Sequence, residues 1–160
     1  MIRTLTIEPL ARAAFAPFGD VVEMAGAEHF SINQGFAERF NDLAKVDVDG
    51  GQTSVSLFTG NPRPWPIAIR LMERHPLGSQ LFFPLQDRQW LVVVCADPHD
   101  PTGFRAFRAT GQQGVNYAKN TWHFPLLVLE EGNRFIIVDR KGPGNNLEEV
   151  LVNTDMTLKP

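Results

Sequence analysis

The 160-residue chain has little of several features that mark particular classes of protein. Its one cysteine, Cys95, cannot form an internal disulfide and lies inside an apolar run, so we expect a buried thiol. The net charge is −3 and there is no basic run, which argues against a nucleic-acid partner. The longest apolar run, residues 90–96, is far shorter than the ~20 residues of a membrane-spanning helix.

The first ten residues also lack the continuous apolar core of a signal peptide. Together with a single thiol, this favours a reducing, cytoplasmic location. No glycine-rich phosphate loop and no serine or cysteine nucleophile setting is present, which argues against covalent catalysis. We expect a cytoplasmic protein without nucleic-acid or membrane partners.

Short apolar segments separated by turn residues dominate the chain. Twelve prolines and thirteen glycines indicate many turns and few long helices. Pro9 is predicted to open a short helix. Residues 53–59 alternate in the manner of a half-buried strand, and residues 89–96 are continuously apolar, like a buried one. The pattern predicts a mainly β domain, a jelly roll or β-barrel with a few short helices, spanning residues 1–160.

Polar, titratable and aromatic side chains are concentrated in residues 111–126, GQQGVNYAKNTWHFPL. Loops and strand ends on a rigid sheet commonly carry function, so we expect half of a site here. His123 in this stretch and His75 each lie at a turn–strand junction beside a proline. In a β-barrel, two such junctions can converge. Each imidazole could equally be a hydrogen-bonded structural group at a strand end.

A metal site would need three or four N, O or S ligands. Glu73, His75, Gln80 and His123 could supply such a set. The neutral amide of Gln80 is a weak ligand, so the residues allow a metal without requiring one.

Other side chains suit binding of a small polar anion. Arginine and lysine can hold a carboxylate, and Arg39 and Lys119 are favoured because of their apolar and turn neighbours. Gln80, Asn116 and Tyr117 can both donate and accept hydrogen bonds, which suits an amide or urea group. Trp122 and Phe124 are expected to form walls of the pocket.

Two motifs carry a resemblance to a known family. The segments GVNYAKNTWHFPL (residues 114–126) and ERHPLGSQLFFPL (residues 73–85) resemble the signature regions of the ureidoglycolate lyases, once called ureidoglycolate hydrolases. Three further segments agree in the same order: PLARAAFAPFGDVVE, FSINQGFAERFNDLA and FIIVDRKG. The resemblance covers nearly the whole chain.

The resemblance implies a cupin-like jelly-roll β-barrel, usually a homodimer, that acts in allantoin and purine catabolism. Its reaction splits (S)-ureidoglycolate into glyoxylate and urea, and a divalent metal, nickel in particular, is associated with the family. His75, Gln80 and His123 stand near the usual ligand positions of the two cupin motifs. Glu73 and Gln80 occupy positions where the ordinary motif has a histidine and a glutamate.

This chemistry assigns roles to the candidate residues. Cleavage needs a base for the hydroxyl proton and an acid for the departing urea nitrogen, and a histidine suits such transfers. His75 or His123 is the expected base, with Tyr117 or Lys119 assisting the leaving group. Arg39 or Lys119 would hold the substrate carboxylate. Asn116 and Gln80 would hold the urea group, and Trp122 would line the pocket.

Two other functions fit the same barrel. One is a metal-dependent cupin enzyme of another class, such as a dioxygenase or a sugar epimerase. The other is a small-molecule-binding barrel without turnover. Release of glyoxylate or urea from ureidoglycolate distinguishes both of them from a lyase.

Overall fold

The computed structural model describes residues 2–160, which form seventeen short strands and three short helical turns. The strands are β1 Arg3–Leu5, β2 Ile7–Pro9, β3 Gly19–Val22, β4 His29–Ile32, β5 Ala37–Phe40, β6 Gln52–Gly60, β7 Ile67–Ala68, β8 Leu71–Arg74, β9 Gln80–Pro84, β10 Trp90–Cys95, β11 Arg105–Ala109, β12 Gly114–Tyr117, β13 Trp122–His123, β14 Leu127–Val128, β15 Asn133–Lys141, β16 Glu148–Leu151 and β17 Met156–Leu158. The α-helix α1 spans Arg12–Phe15, and 3-10 helices span Asn33–Gly35 and Pro101–Gly103. The mainly β fold with short helices confirms the predicted fold class.

The strands pair into four sheets. A five-stranded sheet has the order β3-β12-β9-β15-β6, and a larger sheet has the order β16-β8-β13-β10-β11-β2, with β14 also paired to β10. Three strands, β1-β17-β7, form a small sheet, and β4 with β5 forms a separate hairpin. Within the described residues, no helix has the length and apolar character needed to cross a membrane.

Two apolar clusters pack on opposite faces of the larger sheet. One contains Val92 and Val94 of β10 together with Phe82, Tyr117 and Phe135, which belong to the five-stranded sheet. The other contains alternate residues of β10 and side chains of the small sheet: Leu91, Val93, Cys95, Met156 and Leu158. Strand β10 is buried on both faces for this reason, as its continuous apolar run predicted.

One local prediction was wrong. Pro9 does not open the helix: it ends β2, which pairs in parallel with β11, and α1 begins at Arg12. The strand predicted at residues 53–59 forms as β6 with the predicted alternation: Val55 and Leu57 face outward, 65% and 71% exposed, and Phe58 packs against Phe82 on the other face. Ser56, on the same face as Phe58, lies directly opposite the buried Ile137 of β15.

Candidate functional site

Glu73 and His123 face each other on neighbouring strands of the larger sheet. They are direct partners in the antiparallel pair of β8 and β13. Residues directly opposite in such a pair share one face, so both side chains point toward the interior between the two large sheets. The neighbours Arg74 and Trp122 point to the other face, where the Arg74 guanidinium lies 4.5 Å from the Trp122 ring centroid.

His75 follows β8 directly and completes a cluster of three titratable groups. One ligating atom from each of Glu73, His75 and His123 lies within 4.8 Å of those from the other two. The His123 Nδ1 atom is 3.9 Å from Glu73 Oε1, and the two imidazole centroids are 5.4 Å apart. The two junctions that the sequence singled out therefore meet in space.

His123 lies at the buried end of the cluster. Its ring stacks on Tyr117, with centroids 4.1 Å apart and an interplanar angle of 8°. Its Nδ1 atom donates to the Phe124 carbonyl at 3.2 Å, and its Nε2 atom is buried without a hydrogen-bond partner. Burial, and then the nearby His75, lower the pKa of His123 to about 3, so the ring is neutral at physiological pH.

Hydrogen bonds hold both ring nitrogens of His75. Its Nδ1 atom lies 2.7 Å from the Asn146 carbonyl oxygen, and its Nε2 atom lies 3.1 Å from Gln80 Oε1. The Asn146 carbonyl oxygen can only accept, so Nδ1 carries a proton, and the Gln80 oxygen offers an acceptor for a proton on Nε2. The Gln80 Nε2 atom in turn donates to Asp139 Oδ2 at 3.3 Å.

Glu73 is half-buried, and burial raises the pKa of its carboxyl group. The nearby His75 opposes this increase in the pKa, and Glu149, opposite Glu73 on β16, adds to it. A carboxyl group with a raised pKa is a better proton acceptor than an exposed glutamate. Glu73 and His75 are both partly accessible, whereas His123 is only 1% exposed.

The donor set fits a divalent metal. Two imidazoles and one carboxylate suit transition metals, provided that each imidazole offers an unprotonated nitrogen. The cluster contains three of the four candidate ligands, Glu73, His75 and His123. The fourth, Gln80, hydrogen-bonds to His75 and lies outside this carboxylate–imidazole triad.

The structure brings together four of the eight predicted site residues. His75, His123, Gln80 and Tyr117 converge, because Tyr117 of β12 lies directly opposite Gln80 of β9 and stacks on His123. Asp139 joins this group although the sequence analysis missed it. The alternation of Phe135, Ile137 and Asp139 along β15 was the available signal, because every second residue faces the same side.

The other four predicted residues make their contacts elsewhere. Asn116 points to the outer side of the five-stranded sheet, where its Nδ2 atom donates to Asp20 and to the Lys45 carbonyl. The Lys119 ammonium lies 3.6 Å from Asp47 and 3.5 Å from Asp49. Asn116 and Lys119 line a cavity of about 330 Å³.

Trp122 and Arg39 are also apart from the cluster. Trp122 packs in the apolar core on the opposite face of the larger sheet. Arg39 is exposed on the β4–β5 hairpin, where it pairs with Phe30. Arg39 and Lys119, the two cations expected to hold the substrate carboxylate, therefore both lie apart from the histidine cluster.

A family model described as ureidoglycolate lyase matches residues 2–159. The chain belongs to the ureidoglycolate lyase family. The Burkholderia mallei protein named ureidoglycolate lyase is 56% identical over 151 residues, 92% of this chain and 89% of that protein. The Rhizobium meliloti protein named ureidoglycolate lyase 1 is 53% identical over 152 residues, 93% of this chain and 89% of that protein.

Solved structures are more distant from this member of the ureidoglycolate lyase family. A structure of oxalate decarboxylase matches with a TM-score of 0.42 and 14% sequence identity, and the match covers 64% of this chain. The match spans only 24% of the oxalate decarboxylase chain. Family membership therefore rests on the sequence comparisons and confirms the resemblance seen in the two motifs.

Proposed function

We infer that this protein is a ureidoglycolate lyase, which cleaves (S)-ureidoglycolate to glyoxylate and urea in allantoin and purine catabolism. The observation that carries this inference is the pairing of a half-buried carboxylate, Glu73, with a fully hydrogen-bonded imidazole, His75, in a chain of this family. One group is suited to accept a proton and the other to donate one. An elimination that releases urea needs both.

The reaction can be written with these two groups. Glu73 takes the proton of the substrate hydroxyl, and the electrons of that O–H bond form the carbonyl of glyoxylate. The C–N bond breaks, its electron pair moves to the ureido nitrogen, and His75 supplies the proton that completes urea. Return of a proton from Glu73 to His75 through solvent restores the starting state. General acid–base groups of this kind typically contribute 10²–10⁴-fold to the rate.

Glu73 suits the base role better than His123 does. The lowered pKa of His123 makes it a weak base, and its side chain is 1% exposed. We therefore assign His123 to a neutral, supporting position beside the reacting groups. Gln80, beside His75, remains the proposed contact for the urea group, and Tyr117 acts by packing against His123. The roles expected of Lys119, Asn116 and Trp122 remain predictions. Arg39 or Lys119 remains the proposed partner of the substrate carboxylate.

A divalent metal, with nickel as the proposed ion, would be held by Glu73, His75 and His123. When bound, such an ion supplies Lewis acidity that favours loss of a hydroxyl proton. The neutral state of His123 favours this ligand role, because a metal binds the unprotonated imidazole.

We also propose a cytoplasmic homodimer. Strand β6 lies at the edge of the five-stranded sheet, and Val55 and Leu57 on its outer face are largely exposed. Their partners across the pairing, Val138 and Ile136 of β15, extend this apolar face. A long apolar edge strand is normally covered, and a second copy of the chain is the occupant implied by the family resemblance.

The deciding experiment incubates the purified protein with (S)-ureidoglycolate and measures glyoxylate and urea separately, with and without added nickel. We expect equal amounts of both products at a rate well above spontaneous decay. Glu73→Gln and His75→Asn should each lower kcat by about 10²-fold or more. Product release no faster than the spontaneous rate under either condition would overturn the inference. Retained ligand binding without release would then favour a binding barrel.

A further inference from the structure

Asp139 is a charged residue that follows two buried apolar side chains on the inward row of β15. The row runs along β15 through Phe135 and Ile137, which are both fully buried. Asp139 lies opposite Ser54 of β6, at the end of this row, and is partly buried. A carboxylate at such a position costs desolvation free energy, so its hydrogen-bond partners are informative.

The partner of Asp139 is the side-chain amide of Gln80. The Gln80 Nε2 atom donates to Asp139 Oδ2 at 3.3 Å, and Gln80 is only 7% exposed. An ionised carboxylate accepts hydrogen bonds and donates none. The amide must therefore turn its nitrogen toward Asp139, which leaves its oxygen, Oε1, facing the His75 Nε2 atom at 3.1 Å.

The direction of this contact depends on Asp139 because the two ends of a glutamine amide have nearly the same shape. Without a carboxylate at residue 139, the amide can rotate by half a turn and present its NH₂ group to His75. The other side of the His75 ring is fixed by the Asn146 carbonyl at 2.7 Å. The His75 imidazole is thus held from two sides, and Asp139 sets the direction of one of these contacts, the one with Gln80.

We propose that Asp139 is a positioning residue for the reaction: it orients the Gln80 amide, and through it the His75 ring and its Nε2–H group. Asp139 acts through Gln80 and does not itself transfer a proton. The inference rests on the proposed function in one respect, namely that His75 takes part in turnover. The orientation of the amide itself does not depend on any activity.

A double-mutant cycle tests the proposal. Asp139→Asn should lower kcat about 10- to 100-fold, as expected for a residue that orients a reacting group, and should change KM by less than about threefold. Gln80→Ala should give a similar loss. The double variant should then be no worse than Gln80→Ala alone within about twofold, because Asp139 acts only through the amide. An independent, multiplicative loss in the double variant would overturn the proposal, as would an unchanged kcat in Asp139→Asn.

Nuclear magnetic resonance of the substrate-free protein separates this proposal from the proposed function. We expect the Gln80 side-chain NH₂ signal to be shifted and protected from solvent exchange in the wild type. Asp139→Asn should change that signal, whereas Asp155→Asn, a surface change beside Arg70, should not. If the wild type lacks lyase activity but the Gln80 signal behaves in this way, the proposed function fails and the orientation of the amide stands. An identical Gln80 signal in wild type and Asp139→Asn would overturn the orientation itself.

Asp139→Ser provides a second variant if Asp139→Asn does not fold. Serine already occupies the facing residue 54 and suits a partly buried strand. Its hydroxyl is too short to replace the carboxylate contact, so the same changes in kcat and in the Gln80 signal are expected. A folded Asp139→Ser variant with wild-type values for both would also overturn the proposal.

Discussion

The ring of Tyr117 lies parallel to the ring of His123, with centroids 4.1 Å apart. The two residues come from strands of different sheets, β12 and β13, which are joined by a four-residue turn. Within that turn the Asn120 backbone N–H donates to the His75 carbonyl at 3.0 Å. The stacking therefore holds one half of the candidate site together, and the turn links that half to His75.

Replacement of Tyr117 separates packing from proton donation. Burial, followed by the negative charge of Glu73, raises the pKa of the Tyr117 phenol, so the phenol gives up its proton reluctantly. We expect Tyr117→Phe to retain kcat within about threefold. Tyr117→Ala should lose about 3–5 kcal/mol of unfolding free energy, in the range measured for buried aromatics. A loss of 10²-fold or more in kcat for Tyr117→Phe would instead identify the phenol as the acid.

His123 should make stability depend on pH. Its pKa is lowered from 6.5 to about 3 in the folded protein, so the folded state binds fewer protons than the unfolded state between these values. Its contribution to stability is fully present above pH 6.5 and is lost as the pH falls toward about 3. The slope is at most about 1.4 kcal/mol per pH unit.

Urea denaturation at several pH values measures this effect. His123→Gln should flatten the decline in unfolding free energy between pH 6.5 and pH 3. His99→Gln, on an exposed loop, is the matched control and should keep the wild-type slope. Equal slopes for the wild type and His123→Gln would contradict the prediction.

The exposed face of β6 should control the oligomeric state. Leu57→Glu places a charge on the apolar outer face and should convert a dimer into a monomer in sedimentation analysis. Leu151→Glu is a close control, since Leu151 on β16 is 70% exposed and Leu57 is 71% exposed. If Leu57→Glu sediments as the wild type does, the proposed interface is wrong. Dissociation by Leu151→Glu alone would place the interface on β16.

The thiol of Cys95 should be unreactive in the folded protein. It is 1% exposed, and burial raises its pKa to about 12, with a smaller contribution from Asp97. Since the thiolate is the reactive form, alkylation at pH 8 should proceed only after denaturation. Mass spectrometry with and without urea measures this directly. Rapid labelling of the native protein would show that the strand opens.

Metal binding can be measured without assuming any enzymatic activity. Glu73, His75 and His123 should bind added Ni²⁺, and each of Glu73→Gln, His75→Asn and His123→Asn should weaken that binding. Calorimetric titration gives the affinity, and His29→Asn is the control because His29 pairs with Glu38 on the separate hairpin. Undiminished binding by all three site variants would show that nickel binds elsewhere on the chain.

The family, the mainly β fold and the buried strand β10 were determined by the sequence itself. Two motifs of specific spacing carried the family, and an unbroken apolar run could only be a segment covered on both sides. The same sequence placed His75 and His123 at converging strand ends, because each lies at a turn beside a proline. These features depend on local composition and on residues that are close together in the sequence.

Only the tertiary structure decided which neighbouring residues enter the site. Asn116 and Tyr117 are adjacent, as are Trp122 and His123, and in each pair one member faces the cluster while the other faces away. The same holds for β6, where Leu57 faces outward and Phe58 packs against Phe82. Side chains alternate along a strand, so the sequence sets the alternation, but a shift of one residue exchanges the two faces. The pairing of Tyr117 with Gln80, and of His123 with Glu73, fixed that choice through contacts between distant parts of the chain.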